Sequence, residues 1–251
     1  AICREGDSNP AFNIAPNLFS RDFSADRPNQ KWAGDISYVW MREGWLYVAV
    51  ILDLHCRRVI VWAVSNRMKR DLAIRALKMA VALRQPSKGC IHHTDRGSQY
   101  CSLDYQKLLR QHGFQVSMSG KGNCHDNSAV ETFFKTIKAE LIWRRSWQTR
   151  RDAELAIFQY INGFYNPRRR DSALGWKSPV AFERKEAQKS TWGGTKTGQA
   201  QTASHRAATK KGPRSGERTK RPVTLAPMTD TTSFFRKFGT LRKPTKFRVG
   251  I

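Results

Sequence analysis

The 251 residues contain no run apolar enough to cross a membrane: the longest, Trp45 to Leu52, falls far short of the roughly 20 residues a spanning helix needs. No charged leader followed by an apolar core is visible at the N-terminus, so a cytoplasmic protein is expected. Cysteine is sparse. Its five residues are odd in number, scattered and without a CxxC pair, which argues against a disulfide framework and against a structural zinc site and points to reduced thiols. His92, His93, Cys124 and His125 are soft-metal donors, but neighbouring residues on a strand point to opposite faces, so one site cannot easily use both histidines. Acids are scarce too. Asp and Glu number 20 against 45 Lys and Arg, a net charge of +25, and such an excess calls for a polyanionic partner, ordinarily nucleic acid.

What is present suffices for a core, with 39% hydrophobic and 11% aromatic residues. Residues 1–30 are polar and punctuated by Asn and Pro, and are expected to form an extended lead-in, the remnant of a missing N-terminal region, since the chain starts at Ala1 without methionine. Three strands are predicted at hairpin spacing, over 31–40, 45–54 and 57–65, the middle one buried on both faces because Tyr47 to Leu52 is continuously apolar. The period then changes. "RDLAIRALKMAVALR" (70–84) puts Leu72, Ala76, Met79 and Leu83 on one helical face; "GCIHHTD" is a strand, "SLDYQKLLRQHG" a helix stopped by Gly113, and "FQVSMS" a strand. Strand, helix, strand implies parallel pairing by a right-handed crossover, hence a mixed sheet, antiparallel first and parallel afterwards. A long helix is predicted over 128–145 and another up to Pro167, and the compact domain, 31–185, ends near Lys185. The tail 186–251 is expected to be disordered: residues 190–251 hold 14 basic and 2 acidic residues with little apolar periodicity, fitting nonspecific DNA binding or sequence with no selected role.

Three acids occupy informative positions. Asp35 lies in the first strand, Asp95 ends the fourth in "HHTDRG", and Glu131 sits one turn into the long helix. If the first and fourth strands are neighbours, Asp35 and Asp95 approach each other, and a helix across that edge adds Glu131. Carboxylates so gathered repel unless a cation neutralises them, and all-oxygen ligands favour magnesium or manganese. Two such ions about 4 Å apart serve in-line phosphoryl transfer on DNA. Each acid also has a plainer role: Asp35 and Asp95 as turn residues, Glu131 as partner of Ser128 in a capping box beside Asn127. Asp53 competes for a metal role but better suits the adjacent hairpin turn. Lys135 and Lys138 share the helical face of Glu131, and with Lys121, between Gly120 and Gly122, and Arg96, next to Asp95, they are the candidate DNA contacts. Trp143, Trp147 and Trp176 read as core or helix-packing residues.

The phrases "PNQKWAGDISYV", "LDLHCRRVIVWAV", "HTDRGSQY", "SMSGKGNCHDNSAVETFFKTIKAE" and "YNPRRRDSALGWKSPVAFE" appear in an order that resembles the catalytic core of bacterial insertion-sequence DDE transposases, relatives of retroviral integrases, over residues 17–183. The resemblance implies an α/β, RNase H-like fold with a five-stranded mixed sheet, a metal-binding catalytic triad of Asp35, Asp95 and Glu131, two Mg2+ or Mn2+ ions, DNA contact by Lys138, a nucleoid-associated place in the bacterial cytoplasm, and action as a homo-multimer on DNA. It implies nicking of element ends and strand transfer of a 3′ hydroxyl; a truncated, inactive DNA-binding remnant and an RNase H-like nuclease are the alternatives. Asp171, Gly120 and His125 depart from the family pattern, outside the triad.

Overall fold

A computed structural model of the chain describes residues 14–121 and 124–193. Three strands, β1 (Lys31–Met41), β2 (Gly44–Asp53) and β3 (Arg58–Ser65), form the expected meander. β1 and β2 pair in register from Trp32 opposite Asp53 to Met41 opposite Gly44, and Gly44, at φ +97, makes the tight hairpin turn that a side chain would oppose. A helix, α1 (Arg70–Arg84), leads to β4 (Ile91–Thr94); two helices, α2 (Ser98–Cys101) and α3 (Leu103–Gln111), then lead to β5 (Gln115–Met118). The sheet order is β3-β2-β1-β4-β5, with β1–β4 and β4–β5 parallel.

Each sheet face is covered by helices. On one, Leu46, Val48, Val50 and Leu52 of β2 meet Val130, Phe133, Phe134 and Ile137 of α4 (Ser128–Glu140) and Ala153, Ala156 and Ile157 of α5 (Arg150–Phe158). On the other, Ala49 and Ile51 meet Leu72, Ala76 and Leu77 of α1 and Tyr105 and Leu109 of α3. Leu52, Leu77 and Leu109 are almost wholly enclosed, and burial of such a side chain stabilises by about 1.5–3 kcal/mol. The apolar run of β2 is continuous because both of its faces are covered.

Several boundaries differ from the sequence reading. The buried face of α1 is Leu72, Ala73, Ala76, Leu77 and Ala80, while Leu83 is exposed: the stripe is turned by one position toward the small alanines that let the helix approach the sheet. The predicted helix 128–145 stops at Glu140, because Leu141 leaves helical geometry and Ile142–Arg144 form a tighter turn that buries Ile142. α5 continues through a wider π-type segment, Gln159–Tyr165, and a final helix, α6 (Pro179–Gly193), runs past Lys185. Trp147 is buried as expected, but Trp143 and Trp176 are 71% and 70% exposed. Among the described residues no helix is long and apolar enough to cross a membrane. Residues 194–251, and with them nearly all of the predicted basic tail, lie outside the described residues.

Candidate active site

β1 is paired to β4 only over Lys31–Ala33, with Ala33 opposite His93; continuing that register sets Asp35 opposite Asp95. There β1 parts from β4 and continues to Met41 with β2 as its partner. The carboxyl ends of parallel strands, at a place where neighbours diverge, are where open α/β sheets bind ligands. Successive strand residues alternate between faces, so Asp35 shares the face of Ala33, Val39 and Met41, which pack in the α4 core.

The α4 end of the site is tied to this edge by hydrogen bonds. Asn127 donates from Nδ2 to the Gly34 carbonyl at 3.4 Å, and the Asp126 carboxylate accepts from the Gly120 amide at 2.8 Å and the Asn17 amide side chain at 2.9 Å. Asn127 caps α4 without a side-chain bond to the helix, and Glu131 makes no reciprocal capping bond, so the capping-box role does not operate here. The Glu131 side chain, 31% exposed, instead lies 3.7 Å from Lys135 Nζ and within the electrostatic reach of Asp35.

Asp35 feels every member of the predicted set. Burial first, then the charge of Asp95, and also that of Glu131, push its carboxyl well above the usual value, against a bond from the Ile36 amide (2.7 Å) and the Lys138 charge. Asp95 is raised by burial and held down by the Gly97 amide, which donates to Oδ1 at 2.9 Å. Lys138 is half-buried; burial lowers its pKa, Asp35 raises it, and Nζ lies 5.3 Å from the centre of the Tyr38 ring. The carboxyls of Asp35, Asp95 and Glu131 thus share one neighbourhood, although their oxygens do not all close to within 4.8 Å. A buried carboxyl raised by the charges of two further acids, with no arginine among the causes, belongs to a donor set suited to hard divalent cations.

The other predicted contacts occupy varied surroundings. Lys135 is exposed beside Glu131; Lys121 is exposed in a turn, with Gly122 just outside the described residues. Arg96 is half-buried and donates from Nε to the Ser119 carbonyl at 2.6 Å, which points it toward the end of β5. Sequence reasoning passed over Tyr100, a buried ring close enough to Asp35 and Asp95 for both to raise its pKa, and read Asn127 as a helix cap rather than as the tether to β1. Both stood within the informative phrases "HTDRGSQY" and "GNCHDNSAVE", but nothing in their spacing separates them from ordinary core residues.

Two plainer features also resolve. His92 and His93 are fully buried, His92 bonded to the Tyr105 hydroxyl at 2.7 Å and His93 to Ser117 at 2.8 Å, and burial pushes their pKa down to about 3 and about 4. They are neutral core residues; the side chains of Cys124 and His125 lie outside the described residues. Among the described residues the only tight set of metal-type donors is Asp53, Cys56 and Glu183. Asp53 there accepts the Asn29 and His55 amides at 2.9 and 3.0 Å, the hairpin role expected of it. Glu183 is clasped by Arg58 and Arg84, and burial pushes the Cys56 thiol up to about 12. A cavity of about 820 Å3 between the starts of α1 and α3 contains none of the triad.

Integrase core domain models match residues 25–124 and 112–179, together more than half of the chain. Transposase InsF for insertion sequence IS3A of Escherichia coli (strain K12) is 48% identical over 172 residues, 68% of this chain and 60% of that protein. An uncharacterized 31 kDa protein of insertion element IS600 from Shigella sonnei is 44% identical over 179 residues, 71% and 66% of the two chains. The chain thus spans about 60% of the length of the InsF relative. Among solved structures, a chain of the simian T-cell lymphotropic virus intasome in complex with PP2A regulatory subunit B56 gamma superposes with TM-score 0.53 at 19% identity, covering 72% of this chain and 62% of that one, which bears out the RNase H-like fold. The ordered motifs and the mixed five-stranded sheet agree with these matches, and the chain belongs to the integrase core domain family.

Proposed function

We propose that the chain is the catalytic part of a DNA transposase, which nicks the ends of an element and joins the exposed 3′ hydroxyl to a phosphodiester of another DNA segment. The observation that carries this reading is the environment of Asp35: two acids from separate segments, Asp95 and Glu131, act on its carboxyl at the point where β1 leaves β4. Asp35, Asp95 and Glu131 would hold divalent cations, Mg2+ or Mn2+, two where both reacting oxygens are served. When bound, such cations supply Lewis-acid neutralisation of the charge that develops on the attacking and leaving oxygens.

The chain's own residues do the rest. Asp95 is aimed by the Gly97 amide, Asp35 by the Ile36 amide, and Asn127 fixes the start of α4 so that Glu131 faces them. Lys135 and Lys138, one turn apart on α4, are placed to hold the phosphates that flank the scissile bond, with Lys121 and Arg96 at the rim. In the joining step the 3′ oxygen loses its proton and forms a bond to phosphorus as the bond to the target strand's 3′ oxygen breaks. The excess of 45 basic over 20 acidic residues suits a DNA partner. Action as a homo-multimer on DNA inside the bacterial cell belongs to the same proposal, supported by the transposase relative and by the intasome likeness.

The test is joining of labelled 3′-hydroxyl duplexes to plasmid in Mg2+ or Mn2+. Asp35→Asn, Asp95→Asn and Glu131→Gln should each abolish joining while binding of duplex DNA stays within a few fold. Any variant that joins at the wild-type rate removes its residue from the triad.

A further inference from the structure

One position round α4 from Glu131 and Lys135, Thr132 and Thr136 line a cleft of about 270 Å3 that none of the roles above uses. Its other walls are the β2–β3 turn, which brings Arg57, and the loop after the π-type segment, which brings Arg169, Arg170, Ser172 and Trp176. Three guanidiniums thus meet one carboxylate, that of Asp171, which is engaged in accepting the Ala173 amide at 2.9 Å. These cations and hydroxyls, set beside Leu52, Ala129, Phe133 and Tyr165 in the same lining, suit an anionic group.

The arginines divide into two kinds. Arg169 is structural: Nε and Nη2 both lie 2.9 Å from Glu140 Oε1, and Glu140 also accepts the Tyr160 hydroxyl at 2.6 Å. Arg57 and Arg170 have no carboxylate partner within salt-bridge distance among the described residues. Arg57 is nonetheless held in place, since its carbonyl accepts the Tyr165 hydroxyl at 3.3 Å and its backbone sits in the left-handed region at φ +56. A half-buried guanidinium on a fixed turn is preorganised for a planar, two-oxygen ligand, the geometry of a phosphate.

Trp176 completes the lining. Gly175 and Trp176 are both left-handed, at φ +60, and the Trp176 amide donates to the Asp171 carbonyl at 2.9 Å, so the backbone is pinned while the indole stands 70% exposed beside the arginines. An exposed indole next to unpaired guanidiniums is the pairing that single-strand binders use, the ring taking a base and the cations its phosphate.

We propose that this cleft is a phosphate subsite for the DNA strand, in which Arg57 and Arg170 take the phosphate oxygens and Trp176 stacks on the neighbouring base. The proposal rests on the reading of the chain as a DNA-joining enzyme, because it is the adjacency of Thr132 and Thr136 to Glu131 and Lys135 that puts the cleft on the path of a bound strand.

The test is the salt dependence of duplex binding by the full chain, followed by fluorescence anisotropy in chelator, where no chemistry occurs. Each phosphate contact contributes about 0.9 to the slope of log K against log salt. Arg57→Gln/Arg170→Gln should flatten the slope by about 1 to 2, and Arg57→Lys/Arg170→Lys should keep the slope while weakening binding, because the charge survives and the fork does not. Lys107→Gln/Arg110→Gln, on α3 across the sheet, is the control for net charge and should change the slope less. A slope unchanged in the glutamine double variant, or shifted no more than in the control, overturns the subsite. If Arg57→Gln impairs folding, the exposed Arg170→Gln decides by itself: a flattening of about 0.9 supports the subsite and none overturns it. Failure of the joining reading would show in the Asp35, Asp95 and Glu131 variants, with the metal-free salt slope unaffected.

Discussion

The Gly97 amide donates to Oδ1 of Asp95 at 2.9 Å, and a β-carbon at position 97 would lie 3.0 Å from that same oxygen. It would also lie 3.0 Å from Gln99 Oε1, so a methyl group there must push back both the Asp95 carboxylate and the end of the Gln99 side chain. Gly97 is needed here for close approach, since its φ of −58 is open to any residue. Gly97→Ala should therefore lower strand joining by about 10- to 100-fold, the scale of a reacting group misplaced by a fraction of an ångström to an ångström, while the thermal midpoint changes little. Parallel joining and melting measurements check it; a variant that joins normally would show that Asp95 can shift without consequence.

The raised carboxyl of Asp35 predicts a particular pH dependence. Between its ordinary value of 3.8 and its higher folded value, the native state binds more protons than the unfolded chain, so its contribution to stability falls as pH rises through that window. In chelator at about pH 8, Asp35→Asn should melt higher than wild type by about 2–4 °C, and the gap should close on acidification to about pH 4. Mg2+ or Mn2+ should raise the wild-type midpoint at about pH 8 and have a smaller effect on the variant. A wild-type protein at least as stable as the variant in chelator at about pH 8 would mean that burial and like charge do not act on residue 35 as described.

Much of this site was legible in the sequence because its parts obey local rules. A strand that ends on an acid and turns through glycine, and a helix whose apolar spacing fixes which face is free, locate Asp95 and Glu131 without coordinates, and two adjacent strands bring in Asp35. The mixed sheet followed in the same way from the change of period after residue 65. What remained hidden was set by tertiary contact. The break at Leu141 serves the burial of Ile142, and the alanine face of α1 wins over the larger Met79 and Leu83 because small residues allow close packing. The exposure of Trp176 depends on two consecutive left-handed residues, a conformation that no propensity favours for tryptophan.

Lys138 and Lys135 share a helix face but should behave differently on substitution. Lys138 is half-buried, and its charge lowers the Asp35 pKa; Lys135 is exposed and paired with Glu131 at 3.7 Å. Lys138→Gln should reduce joining by about 10- to 100-fold, because it removes a cation from the interior of the site, where electrostatic stabilisation is strongest. Lys135→Gln should mainly flatten the salt dependence of DNA binding, by about 0.9. Single-turnover joining together with salt titration separates the two, and equal effects in both assays would contradict the difference in burial.

Glu183 offers the clearest prediction on stability. It joins α6 to Arg58 of β3 and to Arg84 at the end of α1, at 2.5 Å each, and burial opposes its charge while the two arginines hold its pKa below the usual range. Arg84 is 15% exposed in its side chain and already has one buried nitrogen without a hydrogen-bond partner. Glu183→Gln leaves that guanidinium poorly compensated, and removing one partner of an enclosed ion pair costs about 3–5 kcal/mol, here reduced to about 2–4 kcal/mol by the partial exposure of Arg58. Urea denaturation measures the loss. Zinc tells the two accounts of the Asp53, Cys56 and Glu183 set apart: a cluster held by arginines and backbone amides gains no stability from the ion, whereas a true metal site would. The same loss with and without zinc therefore assigns Glu183 to the fold rather than to a metal site.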